Sequence, residues 1–148
     1  MAELSTYHKL LQMKETDKNL AHKDYQDSVE VFEEVATKMY ELLKKKEQAE
    51  AHYQKQIQHS MQITDLHTSF QYIDRLEKQI ANLQQAIHTA RSDMQQKQES
   101  LTSAHVEMKK YEKIIDRKEY HIHTVRTYEE KKQMDDMSMQ QFLSQGIR

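Results

Sequence analysis

The segment Ile73-Asp-Arg-Leu76-Glu-Lys-Gln-Ile80-Ala-Asn-Leu83-Gln-Gln-Ala-Ile87 decides the fold. Its apolar residues recur at steps that alternate three and four. The series runs on through Ala90, Met94, Leu101, Ala104, Met108, Tyr111, Ile115, Ile122 and Val125, broken only by Lys97 and Lys118. Alternating steps of three and four make the seam of a left-handed coiled coil rather than one face of a globular helix. Such a seam needs a second helix to cover it.

The first half of the chain supplies one. From Leu4 the same stepping gives Tyr7, Leu11, Lys14, Lys18, Ala21, Tyr25, Ser28, Phe32, Val35, Met39, Leu42, Lys46, Ala49, Tyr53 and Gln56. This seam is poorer, with lysine at three positions. Between Ile57 and Thr64 the pattern lapses, and Ser60 or Thr64 is a candidate helix N-cap, with Asp65 suited to the positive end of the next helix. The expected architecture is all-α, a long two-helix antiparallel coiled-coil hairpin forming a single domain over 1–148. Helix 1 is expected over about 3–57, a turn over about 58–64 and helix 2 over about 65–130. A Met-rich segment, 131–148, is expected to be partly helical.

The two seams fit best in a register that sets Leu42 opposite Ile80, Met39 opposite Leu83 and Phe32 opposite Ala90, with the turn centred on Met61. Large faces small in several layers, as close packing prefers. Each seam lysine then meets an apolar or small residue: Lys46 with Leu76, Lys97 with Tyr25, Lys18 with Ala104, Lys118 with Leu4. Sliding one heptad one way sets Lys18 against Lys97; sliding the other way leaves Leu66 unpaired. At about 1.5 Å per residue the paired region is roughly 80 Å long, and helix 2 overshoots it by some 30 Å. The overshoot carries Ile122, Val125, Met134, Met137, Met139, Phe142 and Leu143, an apolar stretch of the kind that marks interfaces. A further group (Leu43, Ile57, Phe70, Tyr72 and Tyr40) falls off the seam near the turn. It either widens the helix interface or forms a binding patch outside the hairpin.

Composition agrees with long helices. The 148 residues include no Pro, one Gly, no Cys and no Trp, with 31% charged side chains and a mean hydropathy of -1.02. Turns and sheets normally need the punctuation that is missing here. The net charge of -2, from well-mixed acids and bases, gives no footprint for nucleic acid or for an anionic membrane. No apolar run approaches the roughly 18 residues that span a bilayer, and the first residues lack signal-peptide character. Disulfide and thiol chemistry are excluded by the absence of Cys.

No catalytic constellation, cofactor site or metal site emerges. The single glycine, Gly146, cannot form a phosphate-cradling loop. Glu119 and His123 share a helical face with His121 nearby, yet no spacing fixes a third ligand, and solvated polar positions are the simpler reading. The chain reads as a binding protein rather than an enzyme.

Three segments resemble the flagellar type III export protein FliJ family. Tyr7-His-Lys-Leu10-Leu11-Gln-Met-Lys14-Glu15 resembles the family's aromatic, Leu-Leu, Lys opening. Phe70-Gln-Tyr72-Ile73-Asp-Arg-Leu76-Glu77-Lys78-Gln-Ile80 resembles its aromatic-Ile-x-x-Leu-Glu segment. Glu130-Lys-Lys132-Gln-Met134-Asp135-Asp136 with Gln141-Phe142 resembles its closing Lys-x-x-Met-Asp motif. Their order, spacing and total length carry the resemblance. It implies a non-catalytic part of the flagellar export apparatus, shaped like the stalk of a rotary ATPase and serving flagellum biogenesis and motility. The implied partners are the hexameric export ATPase, the cytoplasmic domain of the export-gate membrane protein, and export chaperones. Expected ATPase contacts are Leu4, Tyr7, Leu10, Leu11, Ile114, Ile122 and Val125; expected gate contacts are Tyr53, Phe70, Tyr72 and Leu76. Lys132, Met134, Asp135, Asp136 and Phe142 form an expected C-terminal docking segment. The resemblance implies a cytoplasmic protein, peripheral at the membrane's inner face through the apparatus, with no direct insertion and monomeric when alone. Rival readings are a stalk or scaffold for another secretion or rotary ATPase, and a self-associating coiled coil.

Overall fold

The computed structural model describes residues 2–59 and 62–146. It contains two long helices packed against each other, α1 (Ala2–Gln58) and α2 (Ile63–Gly146), with no strand among the described residues. The fold is all-α, and helix 2 is helical through the Met-rich residues up to Gly146.

The seam explains the burial. Every position of the first series from Leu4 to Gln56, and of the second from Ile73 to Ile122, is buried or half-buried. The core proper is Met39, Ile73, Leu76, Ile80, Ala90, Met108 and Ile115. No side chain reaches complete burial among the described residues, as expected where two helices pack without a third layer. Burying a Leu or Ile fully is worth about 1.5–3 kcal/mol. A row of such layers, rather than helix propensity, therefore supports helices this long.

The chain divides into two compact units, Asn19–Ser103 and Met1–Lys18 with Ala104–Arg148. In the first, antiparallel pairing is set by three contacts. The Ser69 hydroxyl donates to Gln56 Oε1 at 2.7 Å, Lys46 Nζ lies 3.6 Å from Glu77, and the Arg91 guanidinium lies 5.7 Å from the Phe32 ring centre. Gln56 is buried, so its carbonyl needs that hydroxyl. In the second unit Lys118 Nζ stands 3.0 Å from Glu3 and 5.0 Å from the Tyr7 ring centre, bracketing Leu4, its expected neighbour. Lys14 lies 5.9 Å from the Tyr111 ring centre. A one-heptad slip would displace each of these pairs by about 10 Å. The contacts therefore fix the register within each unit.

The seam lysines keep their stems on the apolar surface and their ammonium groups on acids or aromatic faces, which makes their half-burial tolerable. Lys46 shows this best: its ammonium reaches both Glu50 and Glu77.

The start of α2 differs from expectation. Thr64 is not the cap, because the helix begins at Ile63 and places Thr64 inside the first turn, where its carbonyl accepts the Thr68 hydroxyl at 3.0 Å. The Gln62 carbonyl takes the first bonds instead, from the amides of Asp65 (3.1 Å) and Leu66 (3.2 Å). Asp65 lies in that first turn, favourably placed for the helix dipole. Ser60, the other expected cap, and Met61, the expected centre of the turn, lie outside the described residues. Among the described residues no helix is long and apolar enough to cross a membrane.

Candidate functional site

The candidate site is a set of surfaces rather than a cavity. In the Asn19–Ser103 unit, the off-seam apolar residues Tyr40, Leu43, Ile57, Phe70 and Tyr72 are all exposed. Their spacing puts them off the packed stripe, and a two-helix pair has no third element to cover them. Phe70 is 58% exposed and Tyr72 is 42% exposed. The Arg75 guanidinium lies 5.9 Å from the Tyr72 ring centre, so the ring carries a cation on its face. Tyr53 is half-buried on the seam. Leu76, at 3% exposed, is core: its side chain packs between the helices and presents no surface. Of the four expected gate residues, Phe70 and Tyr72 face solvent and the other two serve packing.

In the other unit, Leu4, Tyr7 and Leu11 are half-buried on the seam, and Leu10 and Ile114 are half-buried beside it. Ile122 is the last covered residue of α2, and Val125 is exposed. Glu3 and Leu4 with Arg117, Lys118, His121 and Ile122 line a shallow open groove. Its chemistry is mixed, with the carboxylate of Glu3 beside the side chains of Arg117 and Lys118. Glu119, weighed above as a metal ligand, stands 3.6 Å from His8 Nε2. Next to the core residue Met108, Glu107 accepts a hydrogen bond from Lys110 Nζ at 2.9 Å. That bond and the charge behind it hold the Glu107 carboxyl below its ordinary value.

From His123 to Gly146 every residue of α2 is exposed. The expected docking residues Lys132, Met134, Asp135, Asp136 and Phe142 all lie in this stretch, with Phe142 74% exposed. Among the large exposed side chains that the stepping pattern did not single out are Tyr128 here and Ile63 at the start of the other unit's α2 segment. Tyr128 stands three residues after Val125, off the extrapolated seam, so continuing that seam passes it by. Ile63 was hidden because the helix was expected to begin after it.

The comparisons with known proteins follow this geometry closely in extent. The family model described as "Flagellar FliJ protein" matches residues 4–146, which takes in both helices. A "Flagellar FliJ protein" of Bacillus subtilis (strain 168) is 36% identical over 146 residues, covering 99% of this chain and 99% of its own length. No solved structure matches the chain. A match this continuous takes in both seams, the exposed aromatic group and the bare end of α2 together: the chain belongs to the flagellar FliJ family.

Proposed function

We propose that this protein is a non-catalytic component of the flagellar export apparatus, a stalk-like coiled coil that binds the hexameric export ATPase and the export gate. It promotes assembly of the ATPase ring and couples the ring to export by contact and allostery. Membership of the family over nearly the whole chain supports the reading, and so does the distribution of apolar surface. The observation that carries it is a packed helix pair that leaves large apolar side chains bare, among them Tyr40, Leu43, Phe70 and Tyr72 in one unit and Tyr128, Met134, Met139 and Phe142 in the other, surface of the kind that holds partners.

In this reading Leu10, Ile114 and Val125 present the apolar surface for the ring, while Leu4, Tyr7, Leu11 and Ile122 hold the helices together behind it. Phe70 and Tyr72 contact the cytoplasmic domain of the gate protein, with Tyr53 and Leu76 fixing the helices that carry them. Lys132, Met134, Asp135, Asp136 and Phe142 form a C-terminal partner segment, and export chaperones are further partners of the chain. The protein works in the cytoplasm, peripheral at the membrane through these contacts and not inserted in it.

The test is the hydrolysis rate of the flagellar export ATPase with and without this chain. Stimulation, together with a shift of the ATPase toward its hexamer, is the expected result. An unchanged rate and an unchanged assembly state would sink the ring assignment. Separately, Tyr72→Ala should weaken capture of the gate domain and leave the ATPase stimulation intact.

A further inference from the structure

The exposed end of α2 carries a second stripe that is distinct from the hairpin seam. Extrapolating that seam past Val125 gives Glu129, Lys132 and Asp136, which is polar. Stepping three instead, the large residues re-form a three–four series: Val125, Tyr128, Lys132, Asp135, Met139 and Phe142. All six are exposed and lie in one uninterrupted helix. The spacing places them on one face. Among the described residues nothing in the unit covers that face, and a helical stretch without tertiary packing is only marginally stable in water.

We infer that this face pairs with the same face of a second copy of the chain, in an antiparallel two-fold arrangement. The sequence of the stripe is its own complement when reversed. Val125 meets Phe142 of the second copy, Tyr128 meets Met139, and Lys132 meets Asp135, each pair occurring twice by symmetry. The flanking positions agree, since Lys131 meets Asp136 of the second copy. This is the self-complementarity that a two-fold contact demands. Tyr against Met is a favourable sulfur–aromatic pair. A parallel pairing would stack Lys132 on Lys132 and Asp135 on Asp135, so charge selects the antiparallel one. The ion pairs set orientation more than strength, because exposed pairs are worth little individually. The dimer is therefore weak, with a Kd on the order of micromolar or above. It competes with any other protein that docks on the same stretch.

Sedimentation equilibrium on the full chain over a wide concentration range provides the test. The average mass should rise from 17.8 kDa toward twice that value, and no further. Lys131→Asp with Lys132→Asp leaves four acids facing four acids, and Asp135→Lys with Asp136→Lys leaves four bases facing four. Each double variant should be monomeric alone, and an equimolar mixture should recover the dimer. The four-fold swap, which carries both sets, should dimerise like the parent. The urea midpoint of the packed helix pair, measured in dilute solution, should be unchanged in all of them, since none of these residues lies in the packed seam. A parent that stays at the monomer mass throughout would overturn the inference and reserve the face for a foreign protein. So would double variants that dimerise alone, a mixture that does not pair, or masses beyond the dimer.

Discussion

Two parts of α2, Ile73–Ile80 and Val125–Leu143, are similar in their store of large apolar side chains and opposite in what becomes of them. In the first, Ile73, Leu76 and Ile80 are core. In the second, Val125, Tyr128, Met134, Met137, Met139, Phe142 and Leu143 are all in water. Residue type does not separate them. What does is cover. Ile73, Leu76 and Ile80 lie on the step that faces α1, whereas every residue from His123 to Gly146, on that step or off it, is exposed. Burial in a two-helix protein thus needs both the step and a facing helix, and apolar residues that lack either become available to other molecules.

The sharpest way to break this contrast is to truncate one side chain in each region. Leu76→Ala removes a core side chain and should destabilise the fold by about 2–4 kcal/mol, at the lower end if the two helices close over the gap. Phe142→Ala should change stability by less than about 0.5 kcal/mol in dilute solution. Urea denaturation followed by circular dichroism reads both. Equal losses would mean that the far end of α2 is packed in solution.

Hydrogen exchange sharpens the same contrast without mutation. Amides of 73–115 should be protected through the opening of the helix pair, and those of 125–143 only through local fraying. A gap of about 3 kcal/mol corresponds to roughly 100-fold in exchange rate. Raising the protein concentration should slow exchange in 125–143 selectively if that face pairs with a second copy. A third effect is smaller. Ser69→Ala takes the donor from Gln56 Oε1, leaving a buried carbonyl without its hydrogen bond, and should cost about 1–2 kcal/mol. Denaturation again measures it, and a cost near zero would mean that water takes over the bond.

The packed region was legible in the sequence because it obeys a rule that runs for many turns. Leu42, Ile80 and Ile115 announce the seam by spacing, and the lysines at Lys46 and Lys118 narrow the register because a misplaced charge is costly. The cap was not legible. It rests on the backbone carbonyl of Gln62, and a carbonyl has no residue type, so Thr64 drew attention that its side chain does not repay. Leu76 was ambiguous for a different reason: the resemblance to known proteins placed it on a contact surface while its spacing placed it on the seam, and burial follows spacing. Tyr128 stood out only once a continuous exposed helix was available to measure phase against. The contact surfaces lie where the local rule ends, which is why pattern alone indicated that they exist but not which side chains they contain.

The smallest expected effect concerns Glu107, in the paired region. Its carboxyl is held below the ordinary value first by the hydrogen bond from Lys110, next by the charge of Lys110, with partial desolvation opposing and Lys14 adding a weaker pull. The folded carboxyl therefore binds its proton less readily than the unfolded one. Its contribution to stability is present above the unfolded carboxylate pKa and is lost as the pH falls through the folded value. Lys110→Met should raise the Glu107 midpoint, read from the carboxyl carbon shift in an NMR titration, and Lys14→Met should raise it less. Neither change should move the thermal midpoint measurably near pH 7, because the pair is about half exposed and solvent screens it. An unmoved Glu107 midpoint in Lys110→Met would mean that the 2.9 Å contact is not held in solution. The paired region would then owe its order to the apolar layers and the cross-helix lysines alone.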